Sequence, residues 1–162
     1  MSGPPPRDPM PVAVESRQSR VRVPRRRLQA TARAALTAVG RSRAEVHVTL
    51  VNDAIMRRLN ARYRGTRKRT DVLAFDLGGP GPSPGLGEVV ISVDTAARQA
   101  TAVGVSLALE LDLLVIHGIL HLAGWDDTRP REARCMHERA RAILTGIRRR
   151  PVPARLWAGL LP

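Results

Sequence analysis

His117-Gly118-Ile119-Leu120-His121-Leu122-Ala123-Gly124-Trp125-Asp126-Asp127 decides the reading of this chain. The two histidines are four residues apart in an apolar run with no proline and a single glycine from Leu107 to Leu122, a composition that predicts a helix. On a helix, residues i and i+4 lie on one face about one turn apart, so both imidazoles can reach one metal ion. Gly124 is placed to end that helix in the left-handed conformation. The chain can then turn back and bring Asp127 to a third corner. Two imidazoles and a carboxylate form an open set of three zinc ligands, with a fourth position left for water, the pattern of a catalytic site.

Working outward, this helix is apolar nearly all round, through Leu109, Leu111, Leu113, Leu114, Ile116, Ile119 and Leu120, which places it at the centre of a domain. Ser106 is its expected N-cap. The helix before it is expected to start at a cap on Asp94 and to stop at Gly104. After the site, Pro130 opens a last helix with Ala133, Met136, His137, Ala140, Ile143, Leu144 and Ile147 on one stripe. His137 is the alternative third ligand, although the stripe gives it a packing role.

Towards the N-terminus, Val12 to Glu15 reads as a short strand. Pro24 opens a helix with Leu28, Ala32, Ala35, Leu36 and Val39 on one face, and Gly40 stops it. Its first turn holds Arg25, Arg26 and Arg27, where the helix dipole disfavours cations; phosphate binding or fraying would account for that. Glu45 to Val51 alternates as a strand does, with His47 as a strand-face residue. Asn52 or Asp53 caps a short helix whose stripe is Ile55, Leu59 and Tyr63. Arg62, Tyr63, Arg64, Arg67, Lys68 and Arg69 form a basic loop with one aromatic, suited to a phosphate backbone with a stacked base. Thr70 to Phe75 and Leu86 to Ser92 are strands flanking a Gly/Pro-rich loop at 78–85; the short connection predicts an antiparallel pair.

Composition narrows the classes. At 162 residues the chain is long enough for one domain with a real core. Tyr63, Phe75, Trp125 and Trp157 are the only Phe, Trp or Tyr residues, so the core is aliphatic. The net charge of +13 and a pI near 11.7, almost all from arginine because Lys68 is the lone lysine, point to a polyanionic partner, with nucleic acid first. Cys135 stands alone, so no intrachain disulfide forms, which fits a reducing cytoplasm. The start lacks an apolar signal segment, and Glu110, Asp112 and His117 interrupt the longest apolar stretch, so no membrane span is expected.

Three stretches together resemble the YbeY family of bacterial endoribonucleases. The family patterns H-G-x-L-H-L-x-G-[YW]-D-H, N-x-x-Y-R-G…T-D-V-L-S-F and L-G-D-I-x-I-S are met here by His117 to Asp127, by Asn60 to Gly65 with Thr70 to Phe75, and by Leu86 to Ser92. The resemblance covers about residues 45–127 in order and spacing. It implies an α+β fold: a small mixed four-stranded sheet covered by about five helices, with a central buried helix carrying the histidine pair. A disordered segment at 1–10, a single metallo-endoribonuclease domain at 11–147 and a basic C-terminal tail at 148–162 are the expected divisions.

The activity so implied is metal-dependent cleavage of single-stranded RNA in 16S ribosomal RNA maturation and ribosome quality control. One zinc ion per chain would be held by His117, His121 and the residue at 127. Arg64, the arginine of Y-R-G, is the implied catalytic residue, and Arg62, Arg64, Arg67, Lys68 and Arg69 the expected RNA contacts. Single-stranded RNA and ribosomal subunits are the expected partners, with no DNA specificity, and the cytoplasm the expected location.

Three positions depart from the pattern. Asp127 replaces a histidine, Ala74 a serine and Glu88 an aspartate. Asp127 lowers the charge of the site by one, which makes a bound water a poorer acid than three histidines would. A non-catalytic RNA-binding assembly factor that has lost zinc is therefore the rival reading. A metalloprotease is a weaker rival. Zinc proteases place a glutamate after the first histidine, and Gly118 cannot serve as their base. Asp71, Glu88 and Asp126 are candidates for a general base.

Overall fold

A computed structural model of the protein describes residues 12–64, 71–76, 85–149 and 151–159. The N-terminal segment at 1–10 and most of the Gly/Pro-rich loop lie outside the described residues. Four strands form one mixed sheet in the order β1-β2-β4-β3: β1 (Val12–Ser16), β2 (Glu45–Val51), β3 (Val72–Asp76) and β4 (Gly85–Ser92). β1 and β4 both run parallel to β2, while β3 pairs antiparallel to β4. The architecture is α+β, as the resemblance implied. Five α-helices accompany the sheet among the described residues: α1 (Arg25–Ala38), α2 (Asp53–Arg64), α3 (Val93–Val103), α4 (Leu107–Leu122) and α5 (Pro130–Arg148).

α4 is the centre. Thirteen of its residues are buried, from Leu109 through Leu122, and α1, α3, α5, β3 and β4 all pack on it. One glycine permits the closest of these contacts. A Cβ on Gly118 would lie 2.5 Å from Cγ1 of Val89 on β4. Gly118 therefore lets the helix that carries the histidines sit directly on the sheet. Gly87 does the same from the sheet side. Its φ is +154°, and a Cβ there would overlap the Phe75 carbonyl and come within 2.8 Å of Cδ2 of Leu122.

The polar groups on α4 are handled separately. Asp112, 1% exposed, accepts hydrogen bonds from Nη2 of Arg27 at 2.7 Å and Oγ1 of Thr31 at 2.8 Å. The structure thus gives Arg27 a protein partner across the α1–α4 interface, in place of a phosphate or a frayed turn. Glu110 is buried near Asp71; burial first, then the Asp71 charge, push its carboxyl up to about 7.

Caps differ from expectation in one respect. Ser92, not Asp94, is the N-cap of α3, and its Oγ accepts from the Thr95 N–H. Asp94 instead accepts from the Asp53 N–H at 3.0 Å, at the start of α2, where Asn52 accepts from Ile55. Asp53 in turn accepts from Ser92, Thr95 and Arg98. The starts of α2 and α3 thus share their acidic caps. Burial raises the Asp53 carboxyl, but these three donors outweigh it and bring it to about 2.

α2 continues to Arg64, so Arg62 and Tyr63 belong to a helix rather than to the expected basic loop. Nothing between Asp53 and Arg64 breaks a helix, and Gly65 is the first residue that can. Beyond α5, part of the basic C-terminal stretch contributes to the core. Val152 and Leu156 are buried, and a 3-10 helix (Ala154–Gly159) packs on α3. Among the described residues no single helix is long and apolar enough to cross a membrane.

Replacing Gly118 with alanine forces Val89 or the helix to move. It should lower unfolding free energy by about 1–3 kcal/mol, the usual cost of overpacking, in a urea titration. Glu110 gives a second test. A carboxyl raised in the folded state holds its proton while the unfolded chain releases it, so stability falls as pH rises from the ordinary carboxyl range to about 7. Glu110→Gln should remove that slope and be the more stable protein at pH 8, by roughly 2 kcal/mol.

Candidate metal centre

The last turn of α4 and the loop after it build the site. His117 and His121 share one helix face, as their spacing requires. Gly124 takes φ +101° just past the helix, and the turn it allows lets Trp125 N–H donate to the Leu120 carbonyl at 3.0 Å. The chain then doubles back and delivers Asp127. Nε2 of His117 and Nε2 of His121 are 3.0 Å apart, and Oδ2 of Asp127 lies 3.4 Å from the first and 3.5 Å from the second. Ligands of a tetrahedral zinc at its usual bond lengths sit about 3.3 Å from one another. The triangle has the right size.

Its electronic state also suits a cation. Nδ1 of His121 lies 3.1 Å from the Trp125 carbonyl oxygen, which can only accept. The ring proton therefore sits on Nδ1, and the Nε2 lone pair faces the triangle. Burial, then the neighbouring His117, hold the His121 pKa below its ordinary value. The Asp127 carboxyl is held at about 2, chiefly by its hydrogen bond with His117 and against the effect of burial. Two imidazole Nε2 atoms and a carboxylate oxygen thus converge on one point, and a divalent cation is a group that can take all three as ligands. Among the described residues, His117, His121 and Asp127 form the one group of His, Cys, Asp or Glu with this convergence.

His137 lies nearby but outside the group. Its ring centroid is 6.5 Å from that of His117, and burial, then His117, keep its pKa low. His47 is exposed on β2, as expected of a strand-face residue. The candidate bases are engaged elsewhere. Asp71 accepts from Gln99, Glu88 from Thr49, and Asp126 from the backbone N–H and hydroxyl of Thr128. Arg62 is exposed with its guanidinium 5.4 Å from the centroid of the Tyr63 ring. Arg67, Lys68, Arg69 and the side chain of Arg64 lie outside the described residues. Two features escaped the sequence reading. One is the Trp125 carbonyl that fixes the His121 tautomer, which no side-chain pattern encodes. The other is the pairing of Tyr63 with Phe75, edge to face at 5.1 Å, which joins the end of α2 to β3.

Gly118 also argues against a zinc protease of the H-E-x-x-H type. A side chain at that position would run into Val89, so no glutamate base fits there.

Fold and site together define an α+β protein with a candidate single-metal centre at the end of a buried helix. The sequence comparisons say which one. The chain belongs to the Endoribonuclease YbeY family, whose model matches residues 13–148. It is 47% identical over 128 residues to Endoribonuclease YbeY of Anaeromyxobacter sp. strain Fw109-5, a match covering 78% of this chain and 67% of that protein. The match to the Geobacter sulfurreducens Endoribonuclease YbeY is 38% identical over 141 residues, covering 83% of this chain and 93% of the relative. Against the Anaeromyxobacter dehalogenans relative, 49% identical, the aligned part spans 70% of this chain and 60% of that protein. A Thermotoga maritima protein solved in solution shares the fold, with a TM-score of 0.57 at 22% identity over 91% of this chain and 90% of that one. By family the chain is an endoribonuclease, a hydrolase.

Truncating the third corner tests the triangle. Asp127→Ala should weaken zinc binding by about 100-fold or more, and His137→Ala by less than about threefold, in a competition titration against a chromogenic chelator; losses of this kind follow removal of ligands and of their supports.

Proposed function

We propose that this chain is a single-strand-specific, zinc-dependent endoribonuclease that acts in 16S ribosomal RNA maturation and ribosome quality control in the cytoplasm. The observation that carries the metal part is the triangle of His117, His121 and Asp127, with edges between 3.0 and 3.5 Å. One ion per chain is the stoichiometry it allows. When bound, the ion supplies Lewis acidity, lowering the pKa of a water or polarising a phosphoryl oxygen.

The chain's own residues have distinct tasks in this reading. His121, oriented by the Trp125 carbonyl, presents its Nε2 lone pair at a fixed angle. Asp127 brings charge rather than a third neutral ring, so bound water is a weaker acid than beside three histidines. Arg64, at the C-terminal end of α2, meets the charge that builds on the phosphate oxygens. Arg62, Arg67, Lys68 and Arg69 follow the phosphate backbone of unpaired RNA, and ribosomal subunits are the setting. The charge of +13 favours such a partner and carries no preference for DNA sequence.

The replacement of a histidine by Asp127 favours one rival, an RNA-binding assembly factor without metal chemistry. Zinc content per chain and cleavage of single-stranded RNA with and without chelator separate the two. Stoichiometric zinc and chelator-sensitive cleavage are expected; RNA binding with neither would leave the rival standing. Arg64→Ala should lower cleavage by about 100-fold, the usual loss for one charge-stabilising donor, with zinc content unchanged. An equal loss of both would make the arginine structural.

A further inference from the structure

The chain has only four Phe, Trp or Tyr residues, and three of them stand beside the candidate centre. Tyr63 and Phe75 line a cavity of about 440 Å³ between β3 and the end of α4, together with His121 and Leu122. Trp125 and Asp126 line a second, of about 390 Å³, between the loop after α4 and the first turns of α5, where Arg131 also contributes. His121 lines the first, and its Nδ1 is hydrogen-bonded to the backbone carbonyl of Trp125, which lines the second. Trp157, the fourth aromatic, packs against the core.

Exposure makes the placement hard to explain by folding. Tyr63 at 57% and Trp125 at 36% are the exposed large hydrophobics among the described residues. Burial cannot be the reason for keeping them so open in a chain whose core is aliphatic. The Tyr63 ring is nonetheless held in place, and so is the backbone of Trp125. Phe75 meets Tyr63 edge to face, Arg62 stands over its ring, and the Trp125 backbone is bonded at both its N–H and its carbonyl. An exposed ring on a fixed backbone, with a cation against it in the case of Tyr63, is what a nucleobase stacks on, and stacking tolerates any sequence because every base has a π-face.

The geometry points to two base-stacking subsites: Tyr63, supported by Phe75 and Arg62, and Trp125 take unpaired nucleobases on the two sides of the phosphodiester held at His117, His121 and Asp127. This rests on the endoribonuclease reading and names what that site recognises. A duplex cannot offer its bases to either ring, so the subsites select single strands by themselves. The aromatic rings are binding and specificity residues; the reacting groups are those of the triangle and Arg64.

The test uses the full chain with its zinc and a single-stranded RNA of known cleavage position. A single abasic nucleotide is walked along the strand. Next to the cut bond, each abasic position should raise KM about tenfold with kcat within about twofold, the effect of one lost stack. Tyr63→Leu should raise KM similarly, and the abasic change on its side should then add little; Tyr63→Phe should restore it. A flat abasic walk, or Tyr63→Leu with unchanged KM, overturns the subsites while leaving the nuclease reading intact. If no RNA is cut at all, the nuclease reading fails, and binding still decides the subsites. In a Trp157→Phe background the remaining tryptophan fluorescence is that of Trp125. Single-stranded RNA should quench it by about half or more, as base stacking on the ring requires, and duplex RNA should not; equal response to both overturns the proposal.

Discussion

The contact between Gly118 on α4 and Val89 on β4 is the constraint on which the rest depends. A helix that carries candidate metal ligands must be held firmly, and the firmest hold available to an aliphatic core is burial on all sides. α4 achieves this because its backbone comes down onto the sheet at Gly118, between the two histidines in sequence. Gly87 leaves matching room for Leu122, the residue that follows His121. The same closeness that fixes His117 and His121 removes the space in which a zinc protease keeps its base. One absent side chain thus serves the packing and excludes that base together.

A wholly buried helix leaves little tolerance for polar side chains, yet α4 carries several. Asp112 is neutralised by Arg27 and also bonded by Thr31, both from α1, partners that lie 85 and 81 residues away in sequence. That interaction makes a basic first turn of α1 acceptable, because the cation answers a buried carboxylate rather than the helix dipole. Glu110 is treated differently. With burial and Asp71 both acting on it, its carboxyl is held near neutrality, and it stays in the core largely by keeping its proton. His117 is 5% exposed, and its Nε2 points to the triangle. Each group is tolerated for a separate physical reason.

Local rules made much of this fold legible in the sequence. Alternation marked β2, glycines marked the ends of α1 and α3, and the apolar run of α4 announced its central position. The short link between β3 and β4 pointed to their antiparallel pairing. What escaped depends on partners distant along the chain. Asp94 has the sequence context of a cap for α3, but the neighbouring start of α2 takes its carboxylate, and Ser92 serves α3 instead. Arg27 could not be matched with Asp112 without knowing that α1 packs on α4. At the site, the helical spacing showed the two histidines, and the family pattern drew attention to position 127. The tautomer of His121 rests on a backbone carbonyl and has no signature in residue types.

The third corner shows how a substitution can keep geometry while altering chemistry. The turn at Gly124 sets where residue 127 arrives, and the carboxylate oxygen found there is almost equidistant from the two imidazole nitrogens, at 3.4 and 3.5 Å. Placement is therefore a property of the loop, not of the histidine the family pattern has at that position. Charge is a property of the residue. A carboxylate held at about 2 is ionised at any pH near neutrality, so a divalent ion in this triangle would keep one unit of net positive charge instead of two. That reduces its pull on an anionic phosphate and on the proton of a bound water alike. More of the charge that draws and stabilises the phosphate must then come from arginine, and this chain has arginine in excess.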